Sequence, residues 1–349
     1  MTPQTLDAHL DVGAEEWPRE LVGPLALARM RQGARHFPAH VAGIFAECHL
    51  SEPERTDLVA RVVAKDRTRL VGEWRCPTAY RGLLERWCEP THPAYLLPAL
   101  DIEWDADTER PFVCPYFEPD LIRGHRAIEA SRRERAARGL ESLSRVNGPE
   151  VLRTLDPSIP ERWFERLTEC IEALPEYGVL IPGWSQLTRP GDGSRPALRA
   201  IIALPRQALA SYLQRLGWPG NVYEALSSID LLRPSSPWIG FDADIGSGGL
   251  GRRLGFYQEH QCVFREDADI AGTLERFSAR GLCDPARLSA LSAWVARQPA
   301  QPELGQGRSL SLKLVTGMSE QPSVKAYVSS FDVPVVMRQS ESAVGSVRG

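Results

Sequence analysis

Ser309-Leu-Ser-Leu-Lys-Leu-Val315 and Ser323-Val-Lys-Ala-Tyr-Val-Ser329 decide the fold class. Both segments alternate apolar and polar residues with period two, the pattern of a half-buried strand. Joined as a hairpin, they carry Lys313, Lys325 and Tyr327 on one face. The two lysines stand out because only three of the 41 basic residues are lysine, the third being Lys65. An ammonium is a compact point charge suited to phosphate, and a neighbouring phenol adds a hydrogen-bond donor. Two lysines on a water-facing sheet would give the same pattern, so the choice between site and surface falls to the rest of the chain.

Outward from this hairpin, three earlier strand pairs repeat its form. They span residues 97–105 with 112–118, 178–186 with 197–204, and 238–245 with 253–260. Helical spacing follows each pair, at 121–146 and 160–174, at 207–216 and 222–231, and at 270–280 and 285–298. The order strand, strand, helix, helix is a repeat of architecture, without matching sequence between units. It predicts an α+β fold of antiparallel hairpins with the helices on one side of the sheet. The other side must then face water or enclose a lumen.

The polar face favours the lumen. Leu100, Ile102 and Trp104 alternate with Asp101, Glu103 and Asp105, and Ile239, Phe241, Ala243 and Ile245 with Trp238, Gly240, Asp242 and Asp244. On the returning strand Arg253, Gly255, Tyr257 and Glu259 oppose Leu254 and Phe256. Arg199 joins that face if Leu198, Ala200 and Ile202 meet the helices, while Pro182 and Gly183 leave the register of the preceding strand unset. Aromatics among the charges (Trp238, Tyr257, Tyr327 and Tyr116) are expected of a cavity wall rather than a solvated sheet. The expected architecture is therefore a closed barrel over residues 94–333.

Residues 16–87 read as helical, from Leu21, Leu25, Ala28 and Met30 and then from Leu58, Val59, Val62 and Val63, with Ser51 as a helix N-cap. This makes 1–93 a helical segment packed on the barrel. The polar, small-residue-rich stretch 334–349 reads as a disordered tail.

Composition narrows the function classes. The net charge of −4 over 349 residues argues against nucleic-acid or anionic-membrane binding. No apolar run is long enough to span a bilayer, and the N-terminus lacks a signal-peptide pattern, so a cytoplasmic location is expected. Seven cysteines without a Cys-x-x-Cys pair read as reduced thiols. His36, His40, Cys48 and His49 lack a second ligand pair at zinc spacing, and Pro38 interrupts the helical turn that would join the first two. Gly246-Ser-Gly-Gly-Leu-Gly251 has dinucleotide-loop spacing, but a strand rather than a helix follows, so it reads as a hairpin turn. Asp105 with Asp107, and Asp242 with Asp244, have the alternate spacing that could hold Mg²⁺ on a substrate phosphate, or they mark a solvated acidic sheet end. No Gly-x-Ser-x-Gly segment is present, and neither His125 nor His260 has an evident nucleophile beside it.

Four strand-strand-helix-helix units, a charged and aromatic lumen, and the terminal Lys325-Ala-Tyr327 resemble the aromatic and peptide prenyltransferases of the ABBA fold, over about residues 97–332. The resemblance implies a ten-stranded barrel in which Lys325, Tyr327 and Lys313 hold a prenyl diphosphate. The strand registers add Arg199 and Arg253 to that group. It further implies transfer of a dimethylallyl or geranyl group to an aromatic, amino-acid or peptide acceptor. Glu103, and after it Glu259, would take the acceptor's proton. Tyr257, Trp238 and Tyr116 would shield the allylic cation, and Asp101, Asp242 and Asp244 would bind a cationic part of the acceptor or Mg²⁺. No other cofactor is implied. Two departures stand beside it: eight strands are legible rather than ten, and the acids exceed what a simple diphosphate site requires. The rival readings are a barrel that binds a peptide or phosphorylated metabolite without transferring a prenyl group, and an interaction protein with a solvated charged face.

Overall fold

The computed structural model describes residues 5–52, 55–74, 78–97, 99–105, 112–116, 149, 152–153, 159–175, 178–185, 197–232, 237–260, 268–297, 306–317 and 322–332. The helix expected at 121–146 and the tail expected at 334–349 lie outside these residues.

Ten strands form one antiparallel sheet: β1 (Gly43–His49), β2 (Thr56–Val63), β3 (Ala99–Trp104), β4 (Phe112–Tyr116), β5 (Val179–Ser185), β6 (Ala197–Pro205), β7 (Trp238–Gly246), β8 (Gly249–His260), β9 (Gln306–Thr316) and β10 (Ser323–Asp332). Each strand lies beside its neighbours in sequence, and β10 turns back to pair with β1, giving the order β4-β3-β2-β1-β10-β9-β8-β7-β6-β5. The sheet curls until its edge strands β4 and β5 stand side by side. Such curling sets the two edges of the ten-stranded sheet against each other.

Two helices, α1 (Leu6–Glu16) and α2 (Pro24–Ala34), precede the first hairpin, and the others follow hairpins: α3 (Arg67–Glu73), α4 (Thr78–Cys88), α5 (Glu161–Glu172), α6 (Leu209–Arg215), α7 (Val222–Leu232), α8 (Ala268–Ala279) and α9 (Pro285–Ala296). The fold is thus the α+β barrel of repeated hairpins with outer helices that the alternation predicts. Among the strands whose side chains are described, one side is apolar and sealed from water, as shown by Ile102, Ala200, Phe241, Phe256, Leu312 and Ala326, all fully buried. Each large side chain of this layer contributes about 1.5–3 kcal/mol by leaving water.

The helical reading of residues 16–87 holds for α2, α3 and α4 and fails between them. Residues 43–49 and 56–63 are strands, so a boundary at residue 93 does not separate helices from barrel, and the strand count is ten rather than eight. Leu58, Ala60 and Val62 face the helices while Asp57, Val59, Arg61 and Val63 face the lumen; with Val59 and Val63 buried as well, the alternation is hard to see. The three valines are better suited to a pleated strand than to a helix. Ser51 stands in the β1–β2 turn instead of capping a helix. The Gly246–Gly251 loop is the hairpin turn expected of it, with Gly249 at φ 97°, a conformation that favours glycine.

One buried arginine ties the outer layer to the barrel. Arg287 on α9, begun by the Asp284 N-cap, donates to the carbonyls of Glu20 (2.9 Å), Leu21 (2.9 Å), Glu52 (3.1 Å) and His49. It thereby joins the segment before α2, the β1–β2 turn and α9. Arg287→Ala would remove all four hydrogen bonds and empty the space of a buried guanidinium; we expect a loss of about 3 kcal/mol in urea unfolding, and a loss below 0.5 kcal/mol would contradict the clamp.

Candidate active site

The registers bring one set of charges together inside the barrel. Lys325 on β10 lies directly opposite Lys313 on β9; Lys313 opposes Tyr257 on β8, and Tyr327 opposes Glu47 on β1. Further round the sheet, Asp242 on β7 opposes Gly255 on β8, and Arg199 on β6 opposes Asp244 on β7. All are pleat positions opposite to the helix-covered apolar residues, so their side chains share the lumen.

Two adjacent buried ammoniums repel unless each has a partner. Lys313 pairs with Asp242 at 3.0 Å and donates to the Tyr257 hydroxyl at 2.8 Å. Asp242 also meets Arg253 at 3.0 Å and Arg199 at 3.7 Å, and Arg199 meets Asp244 at 3.1 Å. The Lys313–Asp242 pair crosses β8 at Gly255. A Cβ added there would collide with Asp242 Oδ1 and Lys313 Cε, so the glycine is the opening through which they touch. Lys325 pairs with Glu47, which is also 3.7 Å from His49; His49 is 3.0 Å from Asp57.

Burial and these partners set the protonation states. Burial alone would raise the carboxyls of Glu47 and Asp242. The lysines outweigh it, with His49 beside Glu47 and the two arginines beside Asp242, and hold both well below the usual carboxylate range. Burial, with Lys325 nearby, lowers His49 to about 3, leaving a neutral imidazole. Burial lowers Lys313 to about 8 despite Asp242. It raises Tyr257 and Tyr327 far above the ordinary phenol value, so both remain neutral. Glu103 on β3 differs from the other acids: burial pushes its carboxyl up to about 7, with Arg199 opposing the shift.

The tyrosine rings form the apolar side of the charge cluster. Their centroids lie 6.4 Å apart, and the Lys313 ammonium lies 4.7 Å from the Tyr257 centroid, so these π faces accept positive charge.

The remaining expected residues fall elsewhere. Asp101 is engaged by Arg61 through two hydrogen bonds of 2.7 and 2.9 Å, and Arg61 itself lies over the Phe45 ring at 5.4 Å. This acid is therefore occupied by the protein's own guanidinium. Trp238 begins β7 on the lumen side, two residues before the position opposite Tyr257 and four before Asp242. Glu259 is opposite Ser311 and Tyr116 opposite Ala99; their side chains are outside the described set. Asp107, beside Asp105, is also outside it. His36 and His40 do not gather with Cys48: His40 instead pairs with Glu73 at 3.0 Å and Arg69 at 2.8 Å.

Glu47, His49, Asp57 and Arg61 are missing from the sequence-based site because they sit on β1 and β2. For Glu47 and His49 the signal was present in Gly43-Ile-Phe-Ala-Glu-Cys-His49, where Phe45, Glu47 and His49 alternate with Ile44, Ala46 and Cys48. Ligand atoms of Glu47, His49 and Asp57 lie within 4.8 Å of one another, so they could hold a divalent cation only if Lys325 released Glu47.

No family model and no curated protein sequence matches the chain. Among solved structures it is similar to the apo form of the prenyltransferase PriB, at 14% identity and a TM-score of 0.43, over 92% of this chain and 93% of that one. Among the described residues, no helix is long and apolar enough to cross a membrane.

Gly255→Ala should separate Lys313 from Asp242. We expect a loss of about 2 kcal/mol in stability, read by urea unfolding, because two buried charges lose their contact. The raised Glu103 carboxyl predicts a second effect. Its stabilisation is complete below the unfolded carboxylate pKa and is lost as pH rises through about 7. Glu103→Gln should therefore gain on the order of 2 kcal/mol over wild type at pH 8 while showing no gain at pH 4, as read by thermal unfolding.

Proposed function

We propose that the chain is a prenyltransferase that moves a dimethylallyl or geranyl group from its diphosphate to an aromatic, amino-acid or peptide acceptor inside the barrel. The observation that carries this reading is the direct pairing of Lys313 and Lys325 in the lumen, with Arg253 and Arg199 beyond Asp242 and the Tyr257–Tyr327 pair alongside. The lysines and arginines would bind the diphosphate oxygens and stabilise the charge that grows on them as the allylic C–O bond breaks. A site walled from water strengthens these contacts and protects the cation from hydrolysis. Tyr257 and Tyr327 would offer neutral π faces to the cation, since their burial disfavours phenolate. The acceptor's π system or heteroatom would then form the new bond to carbon. Glu103, ionising near neutral pH, is suited to take the proton the acceptor loses. Mg²⁺ enters this reading only as a partner of the diphosphate.

The rival reading, a barrel that binds a phosphorylated metabolite or peptide without transfer, uses the same cations and differs in needing no prenyl chain. Calorimetry with dimethylallyl thiodiphosphate, with and without Mg²⁺, separates the two. We expect micromolar binding, about −8 kcal/mol, weakened at least tenfold in Lys325→Gln and much tighter than that of inorganic pyrophosphate. Equal affinity for pyrophosphate would favour the rival, and absence of binding would remove the prenyltransferase reading. With an acceptor in hand, kcat/KM should rise with pH as Glu103 ionises near 7 and fall as Lys313 deprotonates near 8. In Glu103→Gln the rising limb should be absent.

A further inference from the structure

Glu47, His49 and Asp57 form a compact donor set on the β1–β2 hairpin that takes no direct part in the proposed transfer. Glu47 and Asp57 are directly opposite in the register, and His49 follows Glu47 by two residues, so the pleat puts all three on one face. Their side chains are at most 5% exposed. His49 Nε2 lies 3.0 Å from Asp57 Oδ2 and 3.7 Å from Glu47 Oε1. Two donors about 2.1 Å from one zinc at the tetrahedral angle stand about 3.4 Å apart, a value that these two distances bracket. The far side of the imidazole is prepared as well. Glu52 Oε1 is 3.6 Å from Nδ1, the place of the outer carboxylate that commonly orients a ligating histidine. A carboxylate thus stands at each ring nitrogen, and a neutral imidazole has one N–H to offer them. A cation at Nε2, with the ring proton on Nδ1 toward Glu52, satisfies both sides.

We propose that Glu47, His49 and Asp57 bind a divalent transition metal of the zinc class, and that this ion and the Lys325 ammonium occupy the Glu47 carboxylate by turns. Lys325 contacts Oε1, the same oxygen that faces His49, so the ion must displace the ammonium from it. One imidazole with two carboxylates suits Zn²⁺ or Co²⁺ better than Mg²⁺, which takes oxygen ligands. Cys48 stands between Glu47 and His49 in sequence but on the opposite face of the strand, and adds no sulfur to the set. Three protein ligands leave a fourth position for water or a further ligand. Bound there, the ion would tie β1 to β2 in place of the ion pair that ties β1 to β10. The site needs no prenyl substrate, so it stands or falls separately from the transferase reading.

The probe is Co²⁺, whose visible absorption reports an imidazole–carboxylate site directly. Titrated into the full chain, it is expected to bind one to one with a micromolar Kd and to be displaced by Zn²⁺ but not by Mg²⁺. His49→Gln should weaken it at least tenfold, while His36→Gln, at an exposed position, leaves it unchanged. Lys325→Met should tighten it at least tenfold, because the competing ammonium is gone, and Co²⁺ should raise that variant's thermal midpoint. Binding that survives His49→Gln marks an adventitious surface site and overturns the proposal. So does the absence of one-to-one binding to the wild type, or a folded Lys325→Met that binds Co²⁺ no more tightly than the wild type does. Should Lys325→Met fail to fold, Lys325→Gln carries that comparison, and the wild type against His49→Gln decides by itself.

Discussion

Two ammonium groups on neighbouring strands, at the same register and inside a barrel, impose the constraint from which the site follows. Lys313 and Lys325 would repel strongly in a medium of low dielectric unless carboxylates reached them from either side. Those carboxylates come from different directions, Asp242 from β7 across Gly255 and Glu47 from β1. The return of β10 to β1 is thus more than a topological closure. It brings the acid that balances Lys325, and with it His49 and Asp57, into the cluster.

The outer layer makes this arrangement affordable in energetic terms. Apolar residues on the helix-facing side of the strands bury without polar atoms to satisfy, and the period-two pleat leaves the inner side free to carry charge. The same alternation that stabilises the sheet therefore concentrates ionisable groups inside it. The groups then divide by environment. Carboxylates beside lysine or arginine are held ionised, the phenols are held neutral, and Glu103 is held near the midpoint of its titration at neutral pH. Acid, base and charge-stabilising roles in one cavity arise from such divergence between neighbouring groups.

Much of the site was legible where strands are apolar on one side only. Trp238–Gly246 and Ser323–Asp332 alternate cleanly, so the lumen-facing positions of Asp242, Asp244, Lys325 and Tyr327 could be read directly. Arg199 was legible from its apolar neighbours although the proline and glycine of β5 concealed the adjoining register. The Thr56–Val63 strand was not legible, because Val59 and Val63 are buried on the lumen side and erase the alternation. Its neighbour β1 carried a readable pattern that the surrounding helices masked. Pairing across strands was out of reach altogether: nothing local to Asp101 announces Arg61, forty residues away in sequence, and nothing local to Gly255 announces the ion pair that crosses it.

The chain's scarcity of lysine allows the central claim to be tested directly. With only Lys65, Lys313 and Lys325 present, ¹⁵N-lysine labelling gives three side-chain ammonium signals, and Lys65 lies outside the lumen cluster as an internal reference. Titrating dimethylallyl thiodiphosphate while observing these signals should shift Lys313 and Lys325 together, saturating with one Kd, and leave Lys65 in place. Movement of Lys65 alone, or of none of the three under saturating ligand, would contradict a diphosphate site built on the paired lysines.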